Sequence, residues 1–413
     1  MSKNMKQGLV PALRFPEFRE AGSWEEALLG DLGNFIGGGT PSKTEPEYWQ
    51  GHIPWISSSD ISDESISNYT ITRFITNEAI KNSATKLIPK GSILLVSRVG
   101  VGKLAVSEEP LCTSQDFTSL ITSKDNSMFL GYYLKANSRK LDNLCQGMAI
   151  KGFTKEDVSN LSLYIPQLKE QQKVSECLSS LDELIIAHTQ KHEALQSYKK
   201  GMLQNLFPAE GESVPALRFA EFRGSGDWKP GKLGDKDISD FVKKRISLSD
   251  LSIETYVSTE NILANFGGIA KASKLPPSGS FTAYKSGDIL IANIRPYLKK
   301  VWVANRSGGA SNDVVVVRPK KGNAFLSCIL RNEAFINYVM QGAKGVKMPR
   351  GDIDLMKEYP IAVPNPDEQH KIAECLSSID DLIRAQAQKI EELKAHKKGL
   401  MQKLFPSVDE VGA

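Results

Sequence analysis

The feature that most restricts what this chain can fold into is an internal repeat. Val10–Arg19 (VPALRFPEFR) returns as Val214–Arg223 (VPALRFAEFR), and Trp24 with Leu29-Gly30-Asp31 returns at the same spacing as Trp228 with Leu233-Gly234-Asp235. A second element, Pro166–Pro208, returns as Pro364–Pro406 with shared EQ, K, ECLSS, KKG and LFP blocks. Such self-similarity means two copies of one structural plan rather than one large core. The offset is 204 residues for the first element and 198 for the second, so the second intervening region is a net six residues shorter. The frame is duplicated while the regions between its parts diverge. The expected layout is an arm and first variable domain at 1–165, a helix at 166–208, a second arm and variable domain at 209–362, and a second helix with a tail at 363–413.

The second element is helical by its periodicity. Val174, Leu178, Leu181, Ile185, His188, His192, Leu195, Lys199, Met202 and Leu206 advance in alternating steps of four and three, the seam of a coiled coil. Ile372, Leu376, Ile379, Ile383, Gln386, Ile390, Leu393, Lys397, Leu400 and Leu404 trace the same seam in the second copy. Prolines bracket both runs, as helix boundaries require. A helix of about 37 residues is about 55 Å long. A lone heptad seam is as often an oligomerisation device, but two matching seams in one chain point to an internal pair whose polar members fix the register. The linker at 209–213 spans at most about 18 Å, whereas a parallel pair would need a return of about 55 Å. An antiparallel pair is therefore expected, with the globular halves at opposite ends of a rod related by a pseudo-two-fold axis. An extended arm acting as a return strand would lift that constraint.

Composition sets the class. With 24% charged, 40% hydrophobic and 8% aromatic residues, the 413-residue chain reads as a soluble globular protein. Its net charge of +4 permits a polyanionic partner without requiring one. Cys112, Cys145, Cys177, Cys328 and Cys375 are odd in number and never form a CxxC pair, so neither a disulfide framework nor a zinc site is written here. No signal-like or membrane-spanning apolar run occurs, and a cytoplasmic protein is expected.

The variable regions, at about 32–165 and 236–362, read as mixed β and α. In each, an apolar strand runs into a basic turn: Ile93–Val96 into Ser97-Arg98-Val99-Gly100-Val101-Gly102-Lys103, and Ile289–Ala292 into Asn293-Ile294-Arg295-Pro296-Tyr297-Leu298-Lys299-Lys300. Arg and Lys reach phosphates or guanine edges, Asn pairs with adenine, and Gly permits close backbone approach. A single basic loop is usually only solvated surface; its recurrence at equivalent positions favours DNA contact by Ser97, Arg98, Lys103, Asn293, Arg295, Tyr297, Lys299 and Lys300. A second basic segment precedes each long helix. It carries Lys151 and Lys155 within 146–155, and Lys344, Lys347 and Arg350 within 341–350, cations among small residues that suit a phosphate chain. Thr154 followed by Asp157 also has the form of a capping box, so capping and phosphate contact both stand for Thr154 and Lys155. Tyr48, Trp49, Trp55 and Tyr256 could stack on bases but are more simply core residues.

Other chemistry lacks a carrier. The tract Gly37–Thr44 has Ser42 where a phosphate-binding loop has Gly before its lysine, and reads as a surface loop. No zinc-hydrolase spacing and no G-x-S-x-G elbow occurs. Asp367 and Glu368, opposite Lys169 and Glu170 in the first copy, read as acids favoured in the first turn of a helix. No catalysis by this chain alone is expected.

The order of variable domain, EQxKxxECLSSxD helix ending in KKGxxQxLFP, variable domain and helix again resembles the specificity subunits of type I restriction-modification systems over essentially the whole chain. Supporting segments are TPSKTEPEYWQGHIPWISSSDI at 40–61, QGMAIKGFTKEDV at 146–158, YVSTENI at 256–262 and GDILIANIRPYLKKVW at 287–302. The resemblance implies an α+β protein with two mixed α/β target-recognition domains separated by two long antiparallel helices. Each domain would read one half of a bipartite DNA site, and the helices would set the spacer and dock two adenine-N6 methyltransferase subunits. ATP-driven restriction-translocase subunits complete the family's complex. The S-adenosylmethionine, ATP and magnesium sites would belong to those partners, in keeping with the missing NPPY-type motif here. Unequal variable regions imply a non-palindromic site. The competing readings are a coiled-coil scaffold that never touches DNA and, less favoured, a self-sufficient DNA-modifying enzyme.

Overall fold

The computed structural model describes residues 9–63, 65–122, 124–145, 152–209, 211–345 and 347–406. The chain divides into two compact units, residues 1–190 with 387–413 and residues 191–386. The boundaries fall inside two long helices, Leu168–Asn205 and Pro366–Leu404. The first helix ends just before its Leu206-Phe207-Pro208 block and the second at Leu404, the first residue of its own block; the proline of each cannot continue it.

In the first unit, a four-stranded antiparallel sheet has the order Gly33–Gly37, Phe117–Thr122, Ile93–Val96, Leu104–Val106. The expected strand Ile93–Val96 is buried on both faces because successive residues point to opposite sides. Ile93 and Leu95 pack with Trp24, Phe129 and Val174, whereas Leu94 and Val96 pack with Ile56, Ile88 and Leu111. Helices therefore cover one face and a second sheet the other. That second sheet has the order Arg73–Ile75, Ile53–Ile56, Leu111–Thr113, Leu87–Ile88, with its two central strands parallel.

The second unit repeats the plan. Its first sheet runs Ser239–Phe241, Val314–Pro319, Ile289–Ala292, Val301–Val303. Its second runs Arg245–Ser247, Ser280–Tyr284, Gly308–Ala310, Tyr256–Val257. The alternation recurs: Ile289 and Ile291 face a core with Trp228 and Phe335, while Leu290 and Ala292 face Val257 and Tyr284. The two second sheets share three strands but differ at one edge. Arg73–Ile75 adds beside Ile53–Ile56, whereas Arg245–Ser247 adds beside Ser280–Tyr284, the opposite edge of the shared trio.

Within each unit the start of one long helix lies against the end of the other. In the first unit Val174 and Leu178 share a core with Leu404 and Phe405, and Asp182 accepts from Lys397 Nζ at 2.5 Å. In the second, Ile372 and Leu376 share a core with Leu206, and Lys199 Nζ donates to Asp380 at 2.6 Å. Numbers rise along one helix as they fall along its neighbour, so each pairing is antiparallel. Every seam position predicted from the heptad steps is buried or half-buried, Leu181, Ile185, Leu195, Ile383 and Leu393 included.

The repeated arm and the repeated EQ pair are partners. Arg14 donates through Nε and Nη2 to the two carboxylate oxygens of Glu170, at 2.7 and 2.6 Å, and Trp24 Nε1 donates to the same carboxylate at 3.2 Å. Arg218, Trp228 and Glu368 repeat this at 2.7, 2.8 and 3.2 Å. The neighbouring Leu13 N–H donates to the Lys403 carbonyl, and that of Leu217 to the Asn205 carbonyl, each at 2.8 Å. Two consecutive arm residues thus tie the first turn of one long helix to the last turn of the other, satisfying a carbonyl that helix geometry leaves open. The glutamines act beside them: Gln171 and Gln369 each donate to the carbonyl of the proline five residues earlier, at 2.9 Å.

Candidate nucleic-acid interface

The two basic segments of each variable region, far apart in sequence, meet in space. In the first unit the Phe153 N–H donates to the Ser97 carbonyl at 3.1 Å. In the second, the Gly351 N–H donates to the Asn293 carbonyl at 3.0 Å and the Arg295 N–H to the Pro349 carbonyl at 2.8 Å. Gly152 permits this approach, since a Cβ there would lie 2.7 Å from the Ser97 carbonyl oxygen. A third segment, absent from the sequence reading, joins them. Ser97 and Asn293 donate their N–H groups to the carbonyls of Asp116 and Asp313, both at 2.8 Å. Strand-end loop, pre-helix segment and a Ser-X-Asp turn, Ser114–Asp116 in the first unit and Ser311–Asp313 in the second, form one surface in each unit.

The expected DNA-contacting residues divide into presented and bracing groups. Arg98, Lys155, Arg295, Tyr297 and Lys347 are exposed and take part in none of the ion pairs of the described residues. Arg295 and Lys299 hold φ values of 53° and 54° on either side of a 3-10 turn over Pro296–Leu298. This left-handed backbone costs roughly 1–2 kcal/mol per non-glycine residue, and the turn persists because Pro296 is buried beneath it. In the first unit the corresponding loop meets the same demand with Gly100 and Gly102, at φ 99° and 88°.

Of the other expected residues, those described have partners within the fold, the Asn293 side-chain oxygen excepted, though Lys344 and Arg350 stay exposed. Ser97 is 3% exposed, donates to the Asp116 carbonyl at 3.1 Å and accepts from Thr118 at 3.0 Å. Lys103 and Lys300 close equivalent loops, donating to the carbonyls of Ile61 at 3.4 Å and Thr259 at 2.7 Å, and Lys103 also pairs with Asp63. Lys299 pairs with Glu333, Lys344 with Asp352 and Arg350 with Asp313. The Asn293 side-chain oxygen is buried without a partner among the described residues. Thr154 caps its helix reciprocally with Asp157, at 2.8 and 3.2 Å, so its polar groups serve the backbone; Lys155 stays exposed beside it. Lys151 lies outside the described residues.

Beside this surface the first unit has a cleft lined by Thr40, Lys43, Trp49, Trp55, Ser57, Arg73, Ser114, Gln115 and Asp116. Thr40 and Lys43 line it from the loop after the glycine tract, and the element that follows is a four-residue 3-10 turn, Pro46–Trp49, not the α-helix of a phosphate-binding loop. Trp55 is buried and meets Trp49 edge to face at 5.0 Å, with the Arg73 guanidinium 4.6 Å over its ring. Tyr48, Trp49 and Tyr256 are half-buried, so of these four aromatics only Trp55 is wholly core. Arg73 also donates to Ser57 at 2.9 Å and pairs with Asp60.

Comparison with known proteins agrees with this architecture. The type I restriction modification DNA specificity domain matches the chain twice, over residues 22–197 and 226–395. The specificity subunit of the type I restriction enzyme MjaIX of Methanocaldococcus jannaschii is 26% identical over 409 residues, covering 92% of each chain. The EcoR124I/EcoR124II specificity subunit of Escherichia coli is 33% identical over 176 residues, 40% of this chain and 43% of its own. The crystal structure of the type I restriction-modification S subunit from M. genitalium superposes with a TM-score of 0.62 at 15% identity, over 97% of this chain and 100% of the other, which establishes a common fold. With both variable regions and most of both long helices inside the matched segments, the chain belongs to the type I restriction-modification DNA specificity family, as a specificity subunit with two such domains.

Proposed function

We propose that this chain reads a bipartite, non-palindromic DNA site, one half-site per unit, on behalf of catalytic subunits that it recruits. The carrying observation is that both units present the same three-part surface through the same backbone hydrogen bonds, yet furnish it with different side chains. One frame with two furnishings is what two unlike half-sites require. Arg98, Lys155, Arg295 and Lys347 supply exposed cations for phosphates, which position a protein on the duplex, while neighbouring polar groups read base edges.

In this reading the long helices hold the two readers at a set spacing and dock methyltransferase subunits, with restriction subunits joining the assembly. S-adenosylmethionine, ATP and magnesium belong to those partners, and the complex works in the cytoplasm. No helix among the described residues is long and apolar enough to cross a membrane. The test is methylation sequencing of a host expressing the chain with its methyltransferase partner. A split, asymmetric motif is expected; a continuous or palindromic one overturns the reading.

A further inference from the structure

The Ser-X-Asp turn is a closely matched feature of the two variable regions that neither the repeat nor the basic loops explain. It reads Ser114-Gln115-Asp116 in one unit and Ser311-Asn312-Asp313 in the other. The outer residues have identical duties. The N–H of Ser114 donates to the Ile56 carbonyl at 2.9 Å, and that of Ser311 to the Val257 carbonyl at 2.8 Å. The carbonyls of Asp116 and Asp313 accept from the strand-end loops at 2.8 Å. Each turn is therefore fastened to both sheets of its unit, and only its middle side chain is exposed. In both units that side chain is a carboxamide.

The carboxamide oxygen is held in each case by a neighbouring donor, the Thr40 hydroxyl for Gln115 and the Arg245 guanidinium for Asn312. A carbonyl oxygen has two acceptor sites and the amide nitrogen two protons, so one acceptor and both donors remain for a ligand. An arginine accompanies each turn from an unrelated part of the chain. Arg73 lines the same cleft as Gln115 from one edge of the second sheet. Arg245 reaches Asn312 from the opposite edge of the shared strands. The surroundings were thus built twice around the same functional group.

We propose that Gln115 and Asn312 are specificity-determining residues that read a base edge in the major groove, one in each half-site. An oriented carboxamide matches adenine, accepting from N6–H and donating to N7. This rests on the DNA-reading role proposed above. The base-reading residues therefore sit on the turn between the two sheets rather than on the basic strand-end loops, which contact phosphates.

The test uses the whole chain assembled with its methyltransferase subunits, and single-molecule sequencing of adenine methylation on genomic DNA. Wild-type chain gives the reference motif. Gln115→Ala should relax one A·T position in one half-site, lowering discrimination there by roughly 5- to 150-fold, the worth of one bidentate contact. Asn312→Ala should do the same in the other half-site only. Gln115→Glu, which can only accept, should shift the preferred base toward cytosine. If all three variants keep the wild-type motif, with or without a uniform fall in methylation, the carboxamides do not read bases and the proposal is overturned. A wild-type complex without a split motif would instead overturn the DNA-reading role itself.

Discussion

Glu170 offers the sharpest test of how the frame is held. Its carboxylate is 2% exposed and receives three hydrogen bonds, two from Arg14 and one from the Trp24 indole. Arg14 itself is only 7% exposed at its side chain. Glu170→Ala leaves a buried guanidinium and a buried indole N–H without their acceptor. Breaking one partner out of a buried ion pair costs about 3–5 kcal/mol, because the remaining charge stays desolvated and unpaired. For a unit of this size each kcal/mol lowers the melting temperature by about 2–4 °C, so a fall of about 6–20 °C is expected by calorimetry. The decisive measurement is the double-mutant cycle. Arg14→Leu with Glu170→Leu removes both charges, so it should be less destabilising than Glu170→Leu alone. Additive losses, or a single-mutant shift under about 3 °C, would refute the clamp.

The two helix-pair ion pairs should respond unequally. Lys397 and Asp182 are 9% and 6% exposed, with Tyr132 Oη donating to Asp182 at 2.7 Å, whereas Lys199 and Asp380 are 22% and 28% exposed. Lys397→Met should therefore cost about 3–5 kcal/mol and Lys199→Met about 1 kcal/mol or less, read from urea unfolding. Arg295→Ala should weaken DNA binding by the assembled complex and flatten the log–log salt dependence by about 0.9, one phosphate contact; an unchanged slope would remove Arg295 from the interface. The Thr154 N–H, and then its hydroxyl, holds the Asp157 carboxyl below its ordinary value of 3.8. A depressed folded-state value means that the cap's contribution is complete above that ordinary value and is lost as pH falls through the depressed one. Carboxyl-carbon NMR titration should place the Asp157 midpoint below 3.8, and Thr154→Val should move it up.

Much of the frame was legible because it is periodic or repeated. The steps of four and three fall on buried or half-buried positions of both long helices, though buried Asp182 and Ala373 lie outside them, and the strands Ile93–Val96 and Ile289–Ala292 carry the bounds read from their apolar runs. The pairings were not legible. Glu368 read as a first-turn acid, a local electrostatic role, and Glu170 only as its counterpart, because their arginine partners lie 150 and 156 residues away. No spacing rule connects residues that only folding brings together. The ion pairs of Lys299 with Glu333 and of Arg350 with Asp313 were hidden in the same way, because those partners lie far along the chain. Ser-Gln-Asp and Ser-Asn-Asp were visible only as a three-letter similarity between short strands, too brief to stand out without the hydrogen bonds that fasten them.

The second sheets show how divergence and constancy divide the work physically. Their three shared strands carry one fastening bond of each Ser-X-Asp turn, at the carbonyls of Ile56 and Val257, so a change there would shift the turn. An edge strand is paired on one side only, and its replacement leaves the remaining ladder intact. That freedom is visible in the placement of Arg73–Ile75 and Arg245–Ser247 on opposite edges. Each nevertheless delivers an arginine to the surroundings of the same turn. Strands added on opposite edges thus bring the same side-chain chemistry near the same turn. Under the base-reading role proposed for the carboxamides, a guanidinium beside each suits the approach of a polyanion to both units.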